Sequence, residues 1–355
     1  MSAESGSIDI FAPVLGRLAA DAAVHFGVGP VQLQPDNRQE RRFSYLLRLG
    51  VCLPNQAEPI AHLFVKILKP VPLEGGLDAL RQRVANDFKT TRRVYEAMAK
   101  YPQLGVVPPV ACYPEDLALV TEEVAGATLL DYLMRHAAWL PSAGRREHLA
   151  NTMASVGRWV RVFQSVDPAG DGITVTELRD YVDHRLKKLV AHPGSHFSEG
   201  ARQGVLCHID TVGCQIDPSE LSEVPIHADL APGNILVSGD RIVVLDFAMA
   251  KRGTRLQDLT RLFVQVDLLG VKPQMTGRVL RRLQDAMVRG FDPTLTPDAP
   301  LFRLMVLMHR INHLTTLTVN SYSGATAVYN GFVRRRHRRW IRAELRRGGI
   351  QAARV

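Results

Sequence analysis

The sequence predicts an α+β protein whose strands gather before about residue 124 and whose helices dominate after it. Apolar runs of strand length occur at 43–51, 61–68 and 117–121. From residue 129 the apolar positions recur at helical spacing over 129–138, 145–166 and 175–190, with polar, glycine-containing breaks between them. Within the helical part, residues 225–247 instead read as two short strands around Ser-Gly-Asp, a hairpin signal.

Taken in order, residues 8–26 set Ile8, Phe11, Val14, Leu15, Leu18, Ala22 and Phe26 at helical spacing, an amphipathic helix expected to pack on the strand-rich part. Residues 31–33 and 43–51 read as strands around a polar loop, 34–42. Strand 61–68 is apolar except for Lys66, and a lysine there costs desolvation unless an anion answers it. Lys69, next to Pro70, reads as a solvated strand end. Helix 77–100 carries Val84, Phe88, Thr91, Val94, Tyr95 and Met98 along one side. Asp87 falls on that side, three residues after Val84 and four before Thr91, whereas Glu96 falls towards Arg92 and Lys100.

The hairpin and its approach concentrate the chemistry. The stretch runs Pro-Ile-His227-Ala-Asp229-Leu-Ala-Pro-Gly-Asn234-Ile-Leu-Val-Ser-Gly-Asp-Arg-Ile-Val-Val-Leu-Asp246-Phe. A turn on Gly239 and Asp240 sets Asn234 opposite Leu245, so Asn234 and Asp246 meet at the open end. A side-chain carbonyl and a carboxylate there suit one hard cation such as Mg2+, which leaves ligand positions to water and substrate phosphates.

These residues resemble the aminoglycoside phosphotransferase and choline kinase superfamily, small-molecule kinases of the protein-kinase-like fold. There His-Gly-Asp-Leu-His-Pro-Gly-Asn-Ile-Leu precedes a strand ending in Ile-Asp-Phe or Ile-Asp-Trp. Ala228 and Ala231 stand where many relatives have Gly and His. The resemblance implies a two-lobed fold, with an N-lobe at 1–124, a helical C-lobe at 125–355, and nucleotide between them. It implies ATP and Mg2+ as cofactors, and γ-phosphoryl transfer to a hydroxyl of a small molecule or glycan. In this reading Asp229 takes the acceptor proton, Asn234 and Asp246 hold metal, and Lys66, paired with Asp87, neutralises phosphate. His227 braces the loop. Leu117-Ala-Leu-Val-Thr-Glu-Glu-Val-Ala-Gly resembles the family's hinge, so the backbone of Glu122, Glu123 and Val124 would meet adenine, their acidic side chains would face solvent, and Gly126 would turn the chain. Gln257-Asp258-Leu resembles a helix start whose Asp braces the catalytic loop. No Ala-Pro-Glu segment follows, which counts against a protein kinase. Retention of Lys66, Asp229, Asn234 and Asp246 counts against a non-catalytic scaffold.

Composition narrows the classes. No apolar run approaches eighteen residues, and the start, Met-Ser-Ala-Glu-Ser-Gly-Ser, lacks a secretory pattern, so a cytoplasmic protein is expected. Cys52, Cys112, Cys207 and Cys214 are scattered and read as reduced thiols, and Cys207, His208 and Cys214 as packing rather than a metal set. His309 and His313, at i and i+4 in an apolar helix over 300–319, also read as packing. The net charge of +9 is concentrated at 334–347, which carries eight arginines among apolar residues. Val333, Trp340, Ile341 and Leu345 share a side with His337. That side could lie on an anionic membrane, giving a peripheral location at the inner face, or could pack on the large lobe. Nucleic acid is not the expected partner.

Overall fold

The computed structural model describes residues 9–54, 56, 58–70 and 76–349. Ile8 and the polar start of the chain lie outside the described residues. The chain divides into two units, Met1–Gly126 with Val243–Ala250, and Ala127–Ile242 with Lys251–Val355. The chain leaves the first unit at Gly126, and a short later stretch, which includes Asp246, is counted with that unit.

The first unit contains α1 (Ala12–Ala20), α2 (Ala22–Phe26), β1 (Gln32–Glu40), β2 (Ser44–Cys52), β3 (Ala61–Leu68), α3 (Gly76–Met98), β4 (Leu104–Val106), β5 (Pro109–Tyr113) and β6 (Ala118–Glu122). Five strands form a sheet in the order β1-β2-β3-β6-β5. Phe11, Val14 and Leu18 of α1 pack on one face of it against Leu49, Val51, Leu63, Val65 and Val120. Leu80 and Val84 of α3 pack with Leu117 and Leu119. Alternation along β3 buries Leu63, Val65 and Ile67 in the cluster with α1. Lys66, one residue out of phase, therefore projects to the other face, where α3 carries Asp87.

The polar stretch 34–42 is not the expected loop. Residues up to Glu40 continue β1, which pairs with β2 from Gln32↔Cys52 to Glu40↔Tyr45, with an irregularity between Pro35 and Asn37. The strand is exposed along nearly its whole length, so its register comes from backbone bonding to β2 and leaves no apolar alternation to read. Its single proline sits at the irregularity of an edge strand, where a missing N–H is tolerated.

The second unit contains β7 (Ala127–Thr128), α4 (Leu129–His136), α5 (Ala143–Gln164), β8 (Gly170–Gly172), α6 (Val175–Ala191), α7 (Glu199–Gly213), β9 (Ser222–Ile226), β10 (Ile235–Ser238), β11 (Arg241–Val244), β12 (Lys251–Thr254), α8 (Gln257–Leu268), α9 (Gly277–Phe291), α10 (Pro300–Val319) and α11 (Gly324–Arg347). The end of β11 runs into the stretch counted with the first unit. β12, β9 and β8 form a small sheet, and β10 pairs with β7 at Leu236↔Thr128 and Val237↔Ala127. Gly239, with φ 59°, forms the two-residue turn between β10 and β11. α5 and α9 meet backbone to backbone. A Cβ on Gly157 would lie 2.0 Å from Met287 O, and one on Gly290 2.1 Å from Ala154 O, so glycine is what permits the contact.

The apolar stripe of α11 packs rather than facing outwards. Val333, His337, Ile341 and Leu345 are buried, because they lie over α10 and α7 of the same unit. Arg335, Arg339, Arg342 and Arg346 remain exposed on the far side of the helix. No helix among the described residues is long and apolar enough to cross a membrane.

Candidate active site

In the first unit, Lys66 Nζ donates to Asp246 Oδ1 at 2.8 Å and lies 3.8 Å from Asp87 Oδ2. Asp87 is almost fully buried. Thr91 Oγ1, one turn along α3, donates to its Oδ1 at 3.4 Å. Glu96 instead accepts from Arg92 Nε at 3.0 Å on the exposed side. Burial and the Asp87 charge push the nearby Cys112 thiol up to about 11, the direction expected of a thiol beside an anion. Lys69 differs from its expected solvated state. It lies 2.5 Å from Glu40 Oε1 and 4.6 Å from the Tyr45 ring centroid.

Asp246 follows β11 with φ 71°, a left-handed backbone rare for a residue with a side chain. Phe247 behind it is buried and anchors the turn, with its carbonyl accepting from Ala250 N at 2.9 Å. This conformation presents the Asp246 carboxylate to Lys66.

The predicted hinge residues lie at and just after the end of β6, but two of their amides are already engaged. Glu122 N donates to Pro108 O at 2.9 Å and Glu123 N to His62 O at 2.8 Å. Among the described residues, no acceptor engages the Val124 amide. The Glu123 side chain does not face solvent as expected. It accepts from Arg48 Nε at 2.9 Å and Nη2 at 2.8 Å, a forked ion pair that fixes the strand end to β2.

In the second unit the loop after β9 is held from below by Asp258, at the start of α8. Asp258 is fully buried, and its two oxygens accept from His227 N at 2.6 Å and Ala228 N at 2.9 Å. Burial raises the Asp258 carboxyl above its ordinary value, against the pull of these donors and of the His227 and Arg261 charges. Ala228 has φ 62°, which gives a physical reason for the glycine of many relatives here. His227 is buried. Asn234 Nδ2 donates to Asp229 O at 3.1 Å, and Asn234 N to Ala231 O at 2.9 Å. The loop 229–234 is thus tied end to end, and Asn234 keeps its carbonyl oxygen as the group it can offer a cation.

Sequence reasoning missed Arg261. Its Nη2 donates to Asp229 Oδ1 at 2.5 Å, so the candidate proton acceptor is held as an ion pair. The available signal was spacing. Arg261 lies three residues after Asp258 on α8, on the same helical face and one turn further along. His309 and His313 do not form a ligand set. His309 Nε2 meets Gln257 O at 2.8 Å and His313 Nδ1 meets His337 Nε2 at 3.0 Å. Cys207 and Cys214 are exposed while His208 is buried against Glu344. Among the described residues, no group of three His, Cys, Asp or Glu side chains could hold a metal.

A lysine between two carboxylates in one unit, with a braced Asp-Asn loop in the other, is the inventory of a phosphoryl-transfer enzyme. The model of the phosphotransferase enzyme family, APH, matches residues 79–286, more than half of the chain. The chain belongs to this phosphotransferase family. No curated protein matches it. Solved structures share its fold at low identity. A choline/ethanolamine kinase family protein from Mesorhizobium loti is 15% identical, with a TM-score of 0.54, over 96% of this chain and 100% of that one. An amicoumacin kinase in complex with AMP-PNP, Ca2+ and Ami is 14% identical, with a TM-score of 0.54, over 92% of each chain. A thermostable aminoglycoside phosphotransferase mutant in complex with AMP-PNP and hygromycin B is 15% identical, with a TM-score of 0.52, over 93% of this chain and 98% of that one. The phosphotransferase thus has the α+β fold that its sequence predicts, with a strand-rich N-terminal part and a mainly helical C-terminal part.

Proposed function

We propose that this phosphotransferase moves the γ-phosphoryl group of ATP, with Mg2+, to a hydroxyl of a small molecule or glycan. The observation that carries the reading is Lys66, held by Asp246 and the buried Asp87 on a family background of phosphotransferases. The solved relatives named above bind AMP-PNP with Ca2+ and Ami, or AMP-PNP with hygromycin B, which supports a nucleotide, a divalent cation and a small-molecule acceptor.

Each residue then has a role set by its chemistry. Lys66 places an ammonium on the phosphates, and Asp87 keeps that ammonium in position. Asp229 accepts the hydrogen bond of the acceptor hydroxyl and takes its proton as the new O–P bond forms and the bond to the leaving ADP breaks. Arg261 orients the Asp229 carboxylate. Asp258 fixes the loop through two backbone amides. Asp246 and Asn234 offer a carboxylate and a carbonyl oxygen, a donor set that fits a hard cation able to fill its remaining positions with water and phosphate. The metal, when bound, supplies charge neutralisation on the phosphates. The Val124 amide is the hinge donor left for adenine.

The test is ATP consumption with Mg2+ across sugars, amino alcohols and aminoglycosides, joined to calorimetry with a non-hydrolysable ATP analogue. Asp229→Ala should abolish turnover on any accepted substrate and leave nucleotide affinity largely intact. Asp246→Ala should abolish the magnesium-dependent part of nucleotide binding. Equal analogue affinity in wild type and Asp246→Ala removes the metal assignment.

A further inference from the structure

The face of α11 opposite its packed stripe has no role in the chemistry above. Positions 328, 332, 335, 339, 342 and 346 lie along it at spacings of three and four. Its first turns expose Val328 and Phe332, 63% and 57% accessible. Its later turns carry Arg335, Arg338, Arg339, Arg342 and Arg346, which with Ala343 line a shallow, open depression. Among the described residues no carboxylate pairs with Arg335, Arg339 or Arg346, and Arg338 spends a donor on the Ser195 carbonyl. Burial and the charges of Arg334 and Arg342 lower the Arg338 pKa, as expected of a cation crowded by like charges.

We propose that this outer face of α11 docks on an anionic lipid leaflet, with the arginines on headgroup phosphates and Val328 and Phe332 in the acyl boundary. The occupant follows from the pairing of charge with exposed apolar surface on one face. A leaflet has phosphates outside and hydrocarbon directly beneath, and so satisfies both ends of the helix. A nucleic acid answers the arginines and leaves the aliphatic Val328 without an apolar partner. A second copy of the chain brings the same positive face and repels it. This surface is the reverse of the stripe of Val333, Ile341 and Leu345, which is already spent on packing. The helix is held in place by that packing, so docking needs no folding on the membrane.

Flotation of the full chain with vesicles of phosphatidylcholine, alone or mixed with phosphatidylglycerol, tests the proposal. Binding is expected only to the mixed vesicles, and it should weaken as salt rises. Arg335→Glu/Arg339→Glu should weaken it by about twentyfold or more, given about fivefold per arginine near the surface. Phe332→Ser should remove the binding that survives at high salt. Arg92→Glu/Arg93→Glu, the same charge change on α3 of the first unit, should leave binding as it is. Circular dichroism verifies that these exposed substitutions leave the fold intact. Equal binding to neutral vesicles, no loss in the α11 pair, an equal loss in the α3 pair, or tighter binding to single-stranded RNA in the same salt would each overturn the assignment. Wild-type protein that fails to float with mixed vesicles at low salt overturns it without any variant.

Discussion

Ala228 and Asp246 hold backbone conformations, φ 62° and 71°, that cost a side-chain-bearing residue about 1–2 kcal/mol each. Both precede or carry a candidate functional group, and both are held by buried neighbours, Asp258 and Phe247. Such outliers collect where structure is committed to function. Ala228→Gly should therefore stabilise the protein by about 1 kcal/mol, read as a higher urea midpoint with unchanged turnover. Unchanged or lower stability would mean that the bonds to Asp258 leave no strain to release. Lys66 and Lys69 make a second residue-scale contrast. They share a strand region, yet Lys66 meets Asp87 and Asp246 while Lys69 meets Glu40 and Tyr45. Lys66→Met should lower kcat/KM for ATP by at least about a hundredfold, as expected for a positioned charge on a transferring phosphoryl group. Lys69→Met should leave it near wild type, and comparable losses would reassign the phosphate contact.

At the scale of elements, α11 shows how a tail that reads as an appendage is integral. Asp267 on α8 accepts from Arg310 on α10 at 2.9 Å and from Arg336 on α11 at 2.9 and 2.6 Å. Arg310 is buried and lies 4.7 Å from the Trp340 ring centroid. Glu344 on α11 joins Arg303 on α10, at 2.7 Å, to His208 on α7, at 3.2 Å. Removing one partner of such a cluster leaves a buried charge unanswered. Asp267→Ala should therefore cost about 3–5 kcal/mol, measured by chemical denaturation. Ending the chain at Tyr329 should unfold or aggregate the second unit, because it uncovers the apolar sites of Val333, Ile341 and Leu345 together with Arg310. A soluble, cooperatively folding truncation would show that α11 is dispensable.

At the scale of the whole molecule, three neutral imidazoles make stability depend on mild acid. Burial first, with neighbouring arginine charges, lowers His309 to about 3, His313 to about 4 and His337 to about 2. The 3.0 Å contact of His313 with His337 requires one ring nitrogen to donate and the other to accept. In the unfolded chain these rings protonate near pH 6.5. The unfolded state then binds more protons below that pH. Their contribution is complete above about 6.5 and is lost as pH falls through the folded values, about 4 for His313, 3 for His309 and 2 for His337, with a slope of up to about 1.4 kcal/mol per pH unit for each ring. Asp183, lowered to about 2 by its hydrogen bond to Arg202, and Asp292, lowered to about 2 by its bonds to Thr294 and Arg255, add a separate loss below about pH 4. Urea titrations across this range should show stability declining from about pH 6.5 and more steeply below about 4, and His313→Gln should flatten the upper part. A flat profile between neutral pH and 5 would mean that the imidazoles are accessible.

The sequence by itself determined the fold class, the hairpin with its Gly239 turn and the family, and it put Asp87 on the inward side of its helix, while the contact with Lys66 came from the structure. Each depends on local periodicity or spacing: a lysine one residue out of phase in an apolar strand, an acid three residues after Val84, and fixed intervals from Asp229 to Asn234 and Asp246. Only the tertiary structure decided the rest. β1 is legible through its partner β2 alone, because an exposed edge strand needs no apolar alternation. Glu123 is engaged by Arg48 and Asp229 by Arg261, pairings between residues 75 and 32 positions apart; spacing puts Arg261 on the Asp258 face of α8, but which carboxylate it meets depends on a loop from elsewhere in the chain. The basic helix offered two apolar arrangements, and burial chose one of them. Periodicity specifies which residues of a helix share a face, but which face is covered depends on neighbours that arrive from elsewhere in the chain.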